Sequence, residues 1–227
     1  MARIDWIGNM VGRMEEFERW ELFIEENQRT GVLYRRFSDN VLLTRVTLGE
    51  SPSLYRAESR IRLTGDHSAW ELSWFRSSEM DEPRLMLRKP GTPEGSMPGY
   101  GEFLMLRRLL ESGASSLEFT RLGDEGVGRS GRGPGVGEAD LVRLELAPET
   151  EMLEVPHRAE VECLRVDVHS GGKVLVRHWV HADRVVASDW GAAMSYRVPG
   201  GPADAGWISL EGLDEGSIEF LTQGFDG

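Results

Sequence analysis

The chain has 227 residues, and its 38 acidic against 26 basic side chains leave a net charge of −12. That balance argues against a nucleic-acid-binding function, because phosphate recognition rests on concentrated positive charge and no basic stripe offsets the acids. The length suits one β-sandwich or curved-sheet domain, able to bury about 70 to 75% of its unfolded surface without a disulfide or metal staple.

All the basic residues except Lys89 and Lys173 are arginines, planar forks suited to cross-strand carboxylate pairs and stacking. The single cysteine, Cys163, lies in an alternating run and reads as a buried, inert thiol. The amino terminus MARIDWIGNMVGRMEEF lacks the apolar stretch of about 7 to 15 residues of a secretory leader. Nowhere do about 18 apolar residues run together, so no transmembrane segment is expected. As the chain stands, the expectation is cytoplasmic; it becomes periplasmic or secreted if a leader has been removed.

Ile4, Ile7, Val11 and Met14 recur at helical spacing, which predicts a short helix or docked arm over 1–17. From Arg19 the period changes. Trp20, Leu22 and Ile24 alternate with polar residues, NQRTG supplies a turn, and Val32, Tyr34 and Phe37 resume, which reads as a hairpin. In LYRAESRIRL, Tyr55, Ala57, Ser59, Ile61 and Leu63 take one face, and Arg56, Glu58, Arg60 and Arg62 the other. A two-residue loop at Asp66-His67 would set Leu63 against Trp70, Ile61 against Leu72 and Arg62 against Glu71. His67 then reads as a solvated loop histidine.

The Pro/Gly-rich PGTPEGSMPGYG ends the first run of strands. EFLMLRRLLESG follows as a helix, with Phe103, Leu106, Leu109 and Leu110 on one face and Gly113 as C-cap. About a dozen residues are marginal alone in water, so the helix is expected to pack on a sheet. SLEFTRL and DLVRLELA read as paired strands around a flexible Gly-rich hairpin loop, 123–139. EVECLRVDVH, KVLVRHWVH, RVVASDW, AMSYRV, WISLE and SIEFLTQ read as further strands. A three-residue turn at Ser170–Gly172 would set Val168 against Val174 and Val166 against Val176. Because 123–139 joins strands that can pair with each other, 1–227 reads as a single domain. The fold class is mainly β: an antiparallel, highly curved sheet, half-barrel or β-roll, with one central helix.

Gly126, Gly128, Gly131 and Gly133 imitate a dinucleotide fingerprint, but a proline and a strand follow instead of a helix, so a loop is the better reading. His178 and His181 would share a face on a helix as metal ligands but point apart on a strand. Glu160, Glu162, His157 and His169 could add a ligand only at unrecognised spacing. No metal or other cofactor is expected. Hydrolase elbows, zinc-protease helices, phosphate loops and CxxC pairs are absent from the sequence. A catalytic site assembled from distant strands leaves no local signature, and Arg165, Asp167, His169 and His178 are the least arbitrary polar group for one. Trp70 and Trp74, at alternating positions, and Trp179, Trp190 and Trp207 supply large apolar area. A curved sheet offers more concave surface than one helix covers, so Trp70, Leu72, Trp74, Phe103, Leu106, Trp179 and Trp190 are the candidate lining of a pocket.

ERWELFIEENQRTGVLYRRF, GYGEFLMLRRLLESG and VECLRVDVHSGGKVLVRHWVHADRVVASDW together resemble bacterial β-roll or half-barrel proteins. These are related to periplasmic lipoprotein carriers and to domains of unknown function that share their curved sheet. The resemblance covers about half the chain and consists of packing positions. It implies an open, curved sheet with a helix near its concave side, and a role in holding acyl chains. The resulting expectation is a non-enzymatic protein binding an apolar or lipid-like ligand. The alternatives are a protein-protein interaction module using the acidic surface and the 123–139 loop, and an enzyme with a non-local site.

Overall fold

The computed structural model describes residues 14–26, 28–49, 54–123, 138–156, 160–198 and 215–225. The strands are β1 (Phe17–Glu25), β2 (Gln28–Ser38), β3 (Val41–Leu48), β4 (Tyr55–Leu63), β5 (Trp70–Ser77), β6 (Arg84–Leu87) and β7 (Ser96–Pro98). After helix α1 (Glu102–Ser112) come β8 (Ser116–Leu122), β9 (Ala139–Leu153), β10 (Val161–Ser170), β11 (Lys173–His181), β12 (Arg184–Asp189), β13 (Met194–Val198) and helix α2 (Glu215–Gln223). The strands form one open 13-stranded sheet in the order β6-β5-β4-β3-β2-β1-β13-β12-β11-β10-β9-β8-β7. The chain therefore winds outward from β1 to one edge, crosses to the other, and returns until β13 pairs with β1. Every neighbour is antiparallel except β7 beside β8.

The sheet is strongly curved. Arg108 of α1 donates to the His67 carbonyl in the β4–β5 turn, while Glu102 of α1 meets Arg121 of β8. In a flat sheet β5 and β8 would lie about 48 Å apart at the usual strand spacing, yet a helix of this length spans only about 16 Å. The two halves must curl around α1. Trp70 near one edge even donates to Ser96 at the other, 3.4 Å away. The interior core draws on α1 through Phe103, Leu104, Met105, Leu106 and Leu109, and on both halves of the sheet through residues such as Ile61, Leu63, Val166 and Val168. As expected, α1 ends at Gly113, whose φ of 68° is left-handed.

Several expectations need correction. SIEFLTQ lies in helix α2, not a strand. Phe220 and Leu221 pack on Trp20, Leu22, Val32 and Tyr34, so the apolar face of the first hairpin is the sheet's outer face under a second helix. Leu63 does oppose Trp70, but a bulge then sets Arg62 against Leu72 and Ile61 against Ser73. A bulge inserts one residue and so exchanges the faces beyond it. Trp70 joins the interior core, whereas Trp74, opposite Arg60, lies outside. At the β10–β11 turn, Ser170 opposes Lys173, giving a two-residue turn with a bulge after it. Gly171 and Gly172 both take positive φ, 56° and 77°, which suits that tight turn. Val168 consequently faces Val176, and Val166 faces His178.

His67 is buried, not solvated. Its Nδ1 accepts from the Met14 amide and its Nε2 lies 2.6 Å from Asn40 Oδ1. Of the expected arm, 14–16 are not helical and Phe17 opens β1, while 1–13 lie outside the described residues. So do 124–137 of the Gly-rich tract, His157, Trp207 and the remainder of WISLE.

Candidate functional site

Strand β1 alternates Phe17, Arg19, Glu21 and Phe23 with Glu18, Trp20 and Leu22. Because α2 covers Trp20 and Leu22, the polar members of the alternation turn inward. Glu21 is fully buried, and Arg19 and Arg35 are only 7% and 6% exposed. Arg19 Nε reaches Glu21 Oε1 at 2.9 Å, Arg35 Nη1 reaches the same oxygen, and Ser195 donates to Oε2 at 2.7 Å. Burial alone would raise the Glu21 pKa, but the two guanidinium groups, the Ser195 hydroxyl and His178 overcome it and hold the carboxyl at about 2. Burial pushes the Arg35 pKa down, opposed by Glu21. Both guanidiniums lie over the Phe103 ring of α1, at 5.0 and 4.7 Å from its centroid.

The polar interior continues along the central strands. Trp190 donates to Ser195 at 2.9 Å and meets His178 edge-on. His178 Nδ1 lies 2.8 Å from Ser188 Oγ, and its Nε2 lies 3.9 Å from Glu102 Oε1. This serine, histidine and glutamate grouping imitates a nucleophile relay, but the Glu102 separation exceeds hydrogen-bond reach. Glu102 is instead engaged by Arg121 at 3.2 Å, which also holds Asp140 at 3.1 Å.

One row of this interior is incompletely bonded. Arg19 lies opposite Arg35, Arg35 opposite Thr44, and Thr44 opposite Ser59, on four consecutive strands. Arg19 Nη2, Arg35 Nε, Thr44 Oγ1 and Ser59 Oγ are all buried without a hydrogen-bond partner among the described residues. Toward the end of the curve, one residue pair along from this row, lie Phe17 and Phe37. There a depression of about 570 Å³ is lined by Met14, Glu15, Glu16, Phe37, Asp39, Asn40 and His67. Arg107 and Arg108 of α1 reach across to the carbonyls of Glu15 and His67.

The structure divides the expected lining residues. Trp70, Phe103 and Leu106 belong to the interior core, and Trp190 packs against it. Leu72 and Trp74 lie on the outer face, Trp74 beneath Arg60. Trp179 is also outside, grouped with Cys163 and Ala187 and donating to Glu151. Burial first, then Glu151 and Glu162, push the Cys163 thiol pKa up. His178 is interior, whereas His181 is exposed and reaches the Glu162 carbonyl. No group of three metal-ligating side chains occurs among the described residues. Arg165 and Asp167 form an ion pair on the outer face, joined by Arg177 and Glu151, and His169 lies 3.8 Å from Glu145. None of these three joins His178.

Periodicity missed Arg19, Glu21, Arg35, Thr44 and Ser59 as a group. The available signal was the string RWE, in which charged residues flank an aromatic that a second amphipathic segment could cover. Comparison with protein-family models, curated proteins and solved structures finds no match for this chain.

Proposed function

We propose that this chain is a non-enzymatic binding protein that holds an apolar, lipid-like ligand inside its curved sheet. The observation that carries the reading is the depression at the end of the curve. Its volume falls in the range of small-molecule sites, about 300 to 1,000 Å³; Phe37 and Met14 in its wall are members of the interior core, beside the polar Glu15, Glu16, Asp39, Asn40 and His67 that also line it. Arg107 and Arg108 tether α1 to Glu15 and His67 in that wall. Release of these tethers would let α1 shift and extend the depression into the apolar core that the helix now covers. The His178 grouping gives less support to hydrolysis, since its Nδ1 is engaged with Ser188, its Nε2 lies beyond hydrogen-bond reach of Glu102, and Trp190 packs against its ring.

Native mass spectrometry of gently purified protein is expected to find a co-purified lipid. Titration with an environment-sensitive apolar dye is expected to saturate at one site. Absence of both would sink the proposal.

A further inference from the structure

Resting on the acyl-ligand reading above, we propose that the row Arg19, Arg35, Thr44 and Ser59 is a seat for the carboxylate of a fatty-acid-type ligand, whose chain runs toward Phe17, Phe37 and the depression. The row is built into the sheet by register: each member lies directly opposite the next on β1, β2, β3 and β4. All four side chains are more than nine-tenths buried, with exposures of 7%, 6%, 1% and 1%.

Four donors therefore stand in one buried row: Arg19 Nη2, Arg35 Nε and the hydroxyls of Thr44 and Ser59. An ionised carboxylate accepts hydrogen bonds and has no donor of its own, so it is complementary in kind to that set. Charge agrees as well. At the row itself Glu21 offsets one of the two guanidiniums; Glu102 shares Arg121 with Asp140 a little farther off. A buried donor without a partner is costly, and a polar row in a curved apolar interior is most simply understood as matched to a polar group from outside the chain. The next row along the strands, Phe17, Phe37, Leu42 and Ile61, is apolar. It lies about 7 Å away, so head and chain of an amphiphile meet complementary surfaces in succession.

The test uses the full chain and its Thr44→Val/Ser59→Ala double variant, which keeps side-chain shape while removing two donors. Dodecanoate, dodecan-1-ol and acetate are the probes, with binding read by calorimetry and melting temperature. Wild type is expected to bind dodecanoate at least about tenfold more tightly than dodecan-1-ol. The double variant should lose most of that advantage and keep its affinity for the alcohol. Acetate should raise the melting temperature of wild type and not of the variant. Equal binding of acid and alcohol, with acetate silent, would overturn the carboxylate seat and leave the acyl reading standing. Neither amphiphile binding, with acetate still stabilising wild type alone, would keep the seat and sink the acyl reading. No response to any probe overturns both.

Discussion

The inner and outer faces of the sheet each bury one glutamate between two arginines, and they complete the arrangement differently. Inside, Glu21 holds Arg19 and Arg35. Outside, Glu58, also fully buried, holds Arg45 and Arg60. The outer cluster is capped by the chain itself, although Arg45 Nε there is also without a hydrogen-bond partner among the described residues. Arg45 donates to the carbonyls of Leu221, Thr222 and Gln223 at the end of α2, and Glu58 accepts from the Phe225 amide. Those carbonyls are the ones a helix leaves unpaired at its C-terminus, where positive charge is favourable. Among the described residues the inner cluster has no such helix end above it; it has Phe103 over its guanidiniums, the Ser195 hydroxyl on Glu21, and donors without partners. The same chemistry therefore serves as a latch on one face and leaves a buried row of donors without partners among the described residues on the other.

The largest expected effect comes from Glu21→Gln, which leaves Arg19 and Arg35 as like charges in a buried site. Breaking a buried pair costs about 3 to 5 kcal/mol, read as a shift of the urea midpoint. Glu58→Gln should cost less, about 1 to 3 kcal/mol, because Arg45 keeps its three carbonyls and Arg60 is 37% exposed. Equal losses at the two glutamates would erase the distinction between the faces.

Acid sharpens the contrast. Folded Glu21 titrates at about 2, against its ordinary value of 4.5, so its contribution is complete above that ordinary value and drains away as the pH falls through the folded one. It amounts to something on the order of 3 kcal/mol. The stability gap between wild type and Glu21→Gln should narrow across that window, and a gap independent of pH would refute the assignment.

On the outer face, Gly224 has a φ of 84°, and a Cβ there would lie 2.1 Å from Glu58 Oε2. Gly224→Ala should loosen α2 at about 1 to 3 kcal/mol, visible as earlier exchange of the α2 amides. Smallest is Thr44→Val. Removing a buried hydroxyl without a partner among the described residues should stabilise the ligand-free protein by about 1 kcal/mol, and a clear loss in melting temperature would mean the hydroxyl has a partner within the fold.

Some of this architecture is legible from residue order. Strands at Tyr55–Leu63 and Lys173–His181 follow from alternation, and α1 from apolar spacing ended by Gly113. The opposition of Leu63 and Trp70 was also readable, but the bulge beside it was not, and it carried Trp74 to the other face. Periodicity reports which residues share a face; it does not report where the count slips. The polar row shows the same limit. Thr44, Ser59, Arg19 and Arg35 are unremarkable along the chain and become a group only when four strands align.

The sequence by itself determined the β character, the central helix and most strand positions, because these depend on contacts between near neighbours and on a period of two or 3.6. Only the tertiary structure decided which face of each strand is interior. That choice depended on α2, whose docking over Trp20 and Leu22 turned Arg19 and Glu21 inward. A charged residue on an alternating strand is assigned to water unless another element covers the opposite face, and that element lies nearly 200 residues away along the chain.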